Sequence, residues 1–260
     1  MKIVVCVKYV PDAQAGPRFA ADHTTDRAGV DGILSELDEY AVEEALKISE
    51  AQGGSTVTVV TVGPEGASDA IRKALQMGAD AGVHVVDAAL HGSDALATSL
   101  VLAKAVAKLE PDLVLTGMAS TDGAMSVVPA MLAERLSLPQ LTFAGSVAVE
   151  GGTVRIERDG DASTEVIEAA LPAVVSVTDQ INDPRYPSFK LIMAAKKKPV
   201  QTWSLGDLGV AAEEVGAAAA WTVVDDVVAR PPRQAGEVVS ASDGDGGRKL
   251  VAFLAGAKLV

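Results

Sequence analysis

A single cysteine, Cys6, stands among 260 residues, which excludes an internal disulfide and a cysteine metal cluster and agrees with a reducing compartment. Histidine is nearly as scarce. His23, His84 and His91 share no metal spacing with one another or with Cys6, so no metal site is expected. Aromatic residues are 3% of the chain, and the core must therefore be built from Val, Ala, Leu and Ile, the usual material of parallel strands layered between helices. No apolar run approaches the roughly 20 residues of a membrane span. Residues 1–8 turn to charge too soon for a secretory leader, and the expected location is cytoplasmic. Positive charge is in deficit, with 22 Lys and Arg against 35 Asp and Glu and a formal net charge of -13, so nucleic acid is not an expected partner. Also missing are G-x-G-x-x-G and G-x-x-x-x-G-K-[ST], which removes the common dinucleotide fingerprint and the P-loop. No Ser, His and Asp arrangement and no pair of carboxylates at helical spacing makes a catalytic case, so the chain is expected to make and break no bonds itself.

What is present is an alternation. Continuous apolar stretches at residues 3–7, 57–62, 82–86, 113–116 and 173–177 predict strands buried on both faces. Helical patterns lie between them, over 38–50 with Gly53 and Gly54 as the stop, over 67–77 ended by Gly78, over 94–109 before Pro111, and over 124–136 before Pro139. In the first of these, Ala41, Ala45, Leu46 and Ile48 share one side, while Glu43 and Glu44 are expected on a solvated face. Such an order predicts right-handed βαβ units and an α/β, Rossmann-like open sheet, mostly parallel, with helices on both faces. Residues 144–167 break the rhythm, alternating around Glu150, Gly151 and Gly152 as an antiparallel hairpin with a further strand at 164–167. The expected division is a nucleotide-binding α/β domain over 1–200 and a C-terminal arm over 201–260. The arm carries Pro231-Pro232, a polar loop at 240–247 and a short apolar end, open to reading as an amphipathic helix or as a disordered tail.

Ligands of open parallel sheets sit beyond the carboxyl ends of the strands. Three segments should meet there: Cys6 and Lys8 leaving the first strand; Ser35, Glu36, Leu37 and Asp38 ahead of the first helix; and the loop holding Gly117, Ser120, Thr121, Asp122, Gly123, Ala124, Met125, Ser126, Val127 and Val128. Val62 supplies a further edge. The third segment carries the most chemistry, because its glycines permit close backbone approach and amides at a helix start favour a phosphate. Thr121 or Asp122 could instead only cap the helix expected to begin near Ala124. Cys6 reads most simply as a small apolar side chain in a buried strand.

The stretch from 171 to 198 joins a strand behind Pro172 to a proline-braced segment, Asn182-Asp183-Pro184-Arg185-Tyr186-Pro187-Ser188-Phe189, and then to Lys196, Lys197 and Lys198. An aromatic displayed on a stiff loop suggests a docking point. Arg185, Tyr186, Phe189, Ile192, Met193 and the three lysines are the docking candidates, with Phe189 folded back on its own core as the plain alternative.

This order of residues resembles the signature region of the β subunit of electron transfer flavoproteins. Lys8, the Ala41-Val42-Glu43-Glu44-Ala45 helix, Gly63-Pro64, Ala74-Leu75, Met77-Gly78-Ala79-Asp80 and Gly206-Asp207-Leu208-Gly209 match in the same order. The resemblance implies a heterodimer with an α subunit that holds most of a shared FAD, and AMP bound in this chain. Adenine would lie near Cys6, Ser35 to Asp38 and Val62, and phosphate near Asp122 to Val128. It also implies electrons taken from acyl-CoA and related dehydrogenases, as in fatty acid β-oxidation, and passed to a membrane quinone oxidoreductase. Phe189 would stand at the partner-docking position, usually Leu in the family, braced by Arg185 and Tyr186. The loop after Lys8 and the Leu37 region would face the FAD edge, Asp159 would approach the α subunit, and the C-terminal arm would extend over it. The chain departs from the pattern at Ser126-Val127-Val128, where relatives carry Asn-Gln-Thr, and at Ala162-Ser163, where two glycines or acids are preferred. Two alternatives stay open: a bifurcating flavoprotein subunit with a second FAD in place of AMP, and a stand-alone ATP-binding module like the stress proteins.

Overall fold

The computed structural model describes residues 1–16, 18–228, 230, 231, 236, 238 and 244–260. Its centre is a seven-stranded sheet, parallel throughout, formed by β1 (Lys2–Cys6), β4 (Thr56–Val62), β5 (Ala81–Val85), β6 (Leu113–Gly117), β7 (Gln140–Ala144), β11 (Ala173–Val177) and β12 (Val200–Trp203). The spatial order is β12-β5-β4-β1-β6-β11-β7, so β1 lies in the middle, paired with β4 through Cys6 opposite Val60 and with β6 through Cys6 opposite Thr116. Alternation of side chains explains the unbroken apolar runs. Ile3, Val5, Val57, Leu115 and Val175 point to one face, where α1 (Glu36–Gln52) and α2 (Ser68–Met77) pack. Val4, Val60, Val83, Val114 and Val174 point to the other, against α3 (Ala95–Leu109) and α4 (Val128–Leu136). Burying each such side chain contributes about 1.5–3 kcal/mol relative to exposing it, so two full faces are what hold the sheet between its helices.

Beside the main sheet, β8 (Ser146–Glu150), β9 (Thr153–Asp159) and β10 (Thr164–Ala170) form an antiparallel meander whose inner residues Val154 and Ile156 join the α1 face of the core. The hairpin and third strand expected at 144–167 are these. A short pair, β2 (Tyr9–Pro11) with β3 (Gly32–Leu34), extends β1 antiparallel and brackets residues 12–31. A Cβ on Gly32 would run into the end of the Tyr9 ring, so any larger residue here would have to turn that ring aside. The polypeptide divides into a unit of residues Met1–Asp225 and a smaller one of Asp226–Val260. The expected boundary near residue 200 thus falls inside the first unit, because β12 pairs with β5 and α6 (Leu205–Leu208) packs through Leu205 and Leu208 against the α3 face. The first unit closes with α7 (Gly216–Ala219). The second contains α8 (Gly246–Gly256), in which Leu250, Val251 and Phe253 are exposed. Pro232 and residues 240–243 of the expected arm lie outside the described residues. Among the described residues no helix is long and apolar enough to cross a membrane.

Two helical expectations need correction. Residues 124–127 are not helical: Ala124 and Ser126 have φ of 50° and 57°, and α4 begins only at Val128, with Pro129 in its first turn. The cause is the tether of the preceding loop, where the Gly123 amide bonds back to the Asp122 carboxylate at 2.7 Å and the Ala124 amide to the Ser120 carbonyl at 2.9 Å. Second, Glu43 and Glu44 do not face water. Both are buried on α1, because the segment after β11 folds over the side that sequence alone leaves solvated.

Candidate functional site

The three segments expected at the carboxyl ends of the strands do meet, and backbone geometry sets them. As β1 ends, the Lys8 amide donates to Asp38 Oδ2 at 2.8 Å, and the Lys8 carbonyl accepts from the Ser35 amide at 2.9 Å. Asp38 Oδ1 takes the Gly117 amide at 3.3 Å, and the Ser35 hydroxyl takes the Thr121 amide at 3.3 Å. One buried carboxylate in the first turn of α1 therefore ties the ends of β1 and β6 together. Gly117 is needed here, because a Cβ would sit 2.6 Å from Asp38 Oδ1 and 2.8 Å from the Leu37 carbonyl oxygen. Val62 ends β4, one strand from Cys6, while Glu36, Gly123, Ala124 and Met125 are exposed and Leu37, Ser126, Val127 and Val128 half-buried.

Burial raises the Asp38 carboxyl from an ordinary 3.8 to about 7, against the opposing pull of the two amides and the Lys8 ammonium. The folded state then binds a proton that the unfolded chain has lost between those values, so this group's contribution to stability falls as pH rises from about 4 through 7. Urea midpoints across that range should decline more in the wild type than in Asp38→Asn; parallel curves would show that Asp38 does not titrate there. Burial, with the Asp38 charge, also pushes the Cys6 thiol up to about 12, which leaves it protonated and inert.

Charge gathers at Asp122. Its carboxylate, 9% exposed, accepts from Lys8 Nζ at 2.8 Å and from the Arg27 guanidinium at 2.6 Å, and Lys8 Nζ also reaches Ser120 Oγ at 3.3 Å. Burial works against the Asp122 charge, but Lys8 and the hydrogen bonds from Lys8, Ser120 and Arg27 overcome it and hold the carboxyl well below its usual range. Asp122 therefore does not cap α4, whose N-terminus has no side-chain cap. Among the described residues, the amides of Met125, Ser126 and Val127 have no hydrogen-bond partner. The Thr116 hydroxyl, beside Cys6 across β1 and β6, is buried without a partner as well. Two cations around one acid, open amides and an orphaned hydroxyl suit an anionic, polar ligand at this edge. Sequence reading missed Arg27 and Thr116. The polar residue at the end of the Leu113–Gly117 strand was a signal for the latter, whereas nothing local marks Arg27.

The docking candidates sit on a different surface. Ser188 caps a helix, α5 (Phe189–Ala195), so Phe189 opens a helical turn at the end of the stiff segment, 79% exposed, with Tyr186 at 93% and Met193 at 47%. Ile192 is half-buried and Lys196 and Lys197 are exposed. Lys198 is committed to the fold: its ammonium donates to the Leu75 and Gly78 carbonyls at 3.0 Å each, closing the end of α2. Arg185 anchors the segment, giving Glu43 a bidentate pair at 2.7 and 2.9 Å and Glu50 a contact at 2.6 Å, and Asn182 bonds Glu44 at 3.0 Å. This explains why Glu43 and Glu44 are buried: each is satisfied by the segment laid over them. A separate open cleft of about 760 Å³, lined in part by Arg135, Glu213, Glu214 and Trp221, lies away from both places.

The model of the electron transfer flavoprotein domain family matches residues 22–208. The chain is 47% identical to the electron transfer flavoprotein subunit beta of Mycobacterium leprae, over 99% of each chain. It is 32% identical to the corresponding subunit of Megasphaera elsdenii, over 94% of this chain and 93% of the other, and 35% identical to the caffeyl-CoA reductase-Etf complex subunit CarD of Acetobacterium woodii, over 93% of each. Matched by that family model over residues 22–208 and 47% identical to a β subunit over 99% of each chain, this chain belongs to the electron transfer flavoprotein family, among its β subunits.

Proposed function

We propose that this chain pairs with an α subunit, that the heterodimer carries FAD held mainly by the α subunit, and that the chain itself binds AMP as a structural ligand. The observation that supports AMP best is the convergence of Lys8, Ser35, Asp38 and Asp122 at the carboxyl ends of β1 and β6, next to unpartnered amides and the Thr116 hydroxyl. In this reading the amides of Met125, Ser126 and Val127 with the Ser126 hydroxyl receive phosphate, since Val127 and Val128 bring no side-chain donors, and Lys8 supplies charge. Adenine rests between the ends of β1 and β4, near Cys6 and Val62, and the Ser35 to Asp38 turn. The flavin, when bound, supplies the electron transfer, and the chain's own work is to position its edge and to exclude water.

Electrons come from acyl-CoA and related flavin dehydrogenases, as in fatty acid oxidation, and go to a membrane quinone oxidoreductase. Phe189, held out on the Arg185-anchored segment with Tyr186, Ile192, Met193, Lys196 and Lys197 around it, is the side chain offered to those dehydrogenases. Work in the cytoplasm fits the reading. The test is to purify the chain with whatever accompanies it, release bound nucleotides by heat and quantify them by mass spectrometry. Equal FAD and AMP with a second polypeptide is the expected result. Two FAD and no AMP would replace this reading with the bifurcating one, and ATP without flavin or partner would replace it with a stand-alone nucleotide-binding module.

A further inference from the structure

Residues 18–31 pass across the carboxyl end of the sheet, bracketed by β2 and β3, and their attachment is unusual. Backbone bonds within the segment are local, from Ala20 to Thr24 and from Asp26 to Arg18. Among the described residues, one backbone bond ties the segment's end to the chain before it, from the Asp12 amide to the Asp31 carbonyl at 2.9 Å, and the segment's other hydrogen bonds to the rest of the first unit come from a few side chains. Arg27 donates to Asp122 Oδ2 at 2.6 Å and to the Tyr9 carbonyl at 3.2 Å, Asp22 faces His91 Nε2 at 2.6 Å, and His23 Nδ1 lies 3.1 Å from the Val224 carbonyl. These contacts are not equal. Asp22 and His91 are 51% and 68% exposed, where an ion pair contributes little, whereas Asp122 is 9% and Arg27 26% exposed. Within the segment, Arg27 alone bridges the Tyr9 carbonyl at the exit of β1 and Asp122 in the loop after β6, a span that Lys8 also crosses to Asp122 at 2.8 Å.

We infer that residues 18–31 are a latch over the nucleotide crevice and that the Arg27–Asp122 pair is its closure, so that nucleotide enters and leaves only when this pair opens. The inference rests on the AMP reading. Its chemistry is that of a gate: Asp122 already neutralises Arg27, so the guanidinium is engaged in the closure and not in holding the ligand. A gate slows entry and exit together and leaves affinity nearly unchanged. A direct phosphate contact raises only the exit rate when removed, and a purely structural contact shows as a lowered melting temperature with no selective change in exchange.

The test uses the intact heterodimer loaded with radiolabelled AMP, chased with unlabelled AMP for release and loaded afresh for uptake, in wild type, Arg27→Gln and His91→Gln. Flavin absorbance and thermal melting are followed alongside. Release and uptake in Arg27→Gln should both rise about tenfold, the size of one charge-assisted hydrogen bond, with a smaller parallel rise in His91→Gln, which leaves the crevice residues untouched. Wild-type exchange rates in Arg27→Gln would overturn the latch while leaving AMP binding intact, as would a faster release in Arg27→Gln with unchanged uptake. If the Arg27→Gln chain does not fold, Arg27→Lys takes its place: it keeps the charge but not the fork that spans Asp122 and Tyr9, and the same parallel rise is expected of it. Failure of the wild type to take up AMP at all would overturn the AMP reading and the latch with it.

Discussion

Replacing Arg185 by alanine should lower stability by about 3–5 kcal/mol, the cost of leaving a buried charge unpaired, and abolish efficient electron acceptance. Glu43, with its side chain 8% exposed, would lose the backbone-anchored fork that now satisfies both its oxygens, while Glu50, 61% exposed, would simply turn to water. The reverse change is milder. In Glu43→Gln the guanidinium, 29% exposed, keeps Glu50 and gains water, so the loss should be about 1–2 kcal/mol. Urea unfolding of both variants and of the double variant separates the pair's own coupling from the penalty of an orphaned acid. Equal losses in the two single variants would show that the pair, and not the buried carboxylate, sets the cost. Phe189→Ala supplies the contrast, because a side chain 79% exposed supports little of the fold. Its unfolding should match the wild type while electron acceptance from dehydrogenases falls. Unchanged acceptance with every dehydrogenase would remove Phe189 as the docking residue.

Gly117→Ala should cost about 1–3 kcal/mol and, if the proposed AMP site is right, abolish AMP retention, although it adds a single methyl group. The added carbon would meet Asp38 Oδ1 at 2.6 Å, Leu37 O at 2.8 Å and the Leu37 carbonyl carbon at 2.9 Å. Two of those atoms are backbone in the turn that opens α1, and the third is the carboxylate that joins the exits of β1 and β6, so none can step aside without parting the rims of the crevice. Gly123→Ala is the control. Its new carbon would approach Ser120 Oγ at 3.1 Å and Lys8 Nζ at 3.7 Å, both flexible ends, and should cost under about 1 kcal/mol. Denaturation midpoints and the AMP content of the purified protein check both. A Gly117→Ala protein that keeps its AMP would show that the Asp38 junction is not part of the nucleotide site.

Much of this molecule was legible in one dimension. The five continuous apolar runs became five central strands because a strand buried on both faces has no polar period to hide it, and the expected helix ends held to within two residues, only the start of α4 moving from 124 to 128. The meander and the meeting of Lys8, Ser35 to Asp38 and the 117–123 loop were readable for the same reason: strand order places their ends together whatever else the side chains do. The two edge strands, β7 and β12, were not read. Each lies at an edge with exposed residues among its buried ones, three of the four in β12, and such a segment looks like a surface loop until a neighbour pairs with it.

Tertiary structure decided the charges. Glu43 and Glu44 sit on a helix whose pattern permits a solvated face, and only the arrival of Arg185, 142 positions later, and of Asn182 turns that face into an interior. Arg27 and Asp122 stand 95 positions apart in unrelated loops, and neither shows by its neighbours that it has a partner. Periodicity records how much of each element meets apolar surroundings, an average over many residues that survives local error. An ion pair is one distance between two atoms, specified by the folded chain as a whole, and the sequence carries no separate sign of it.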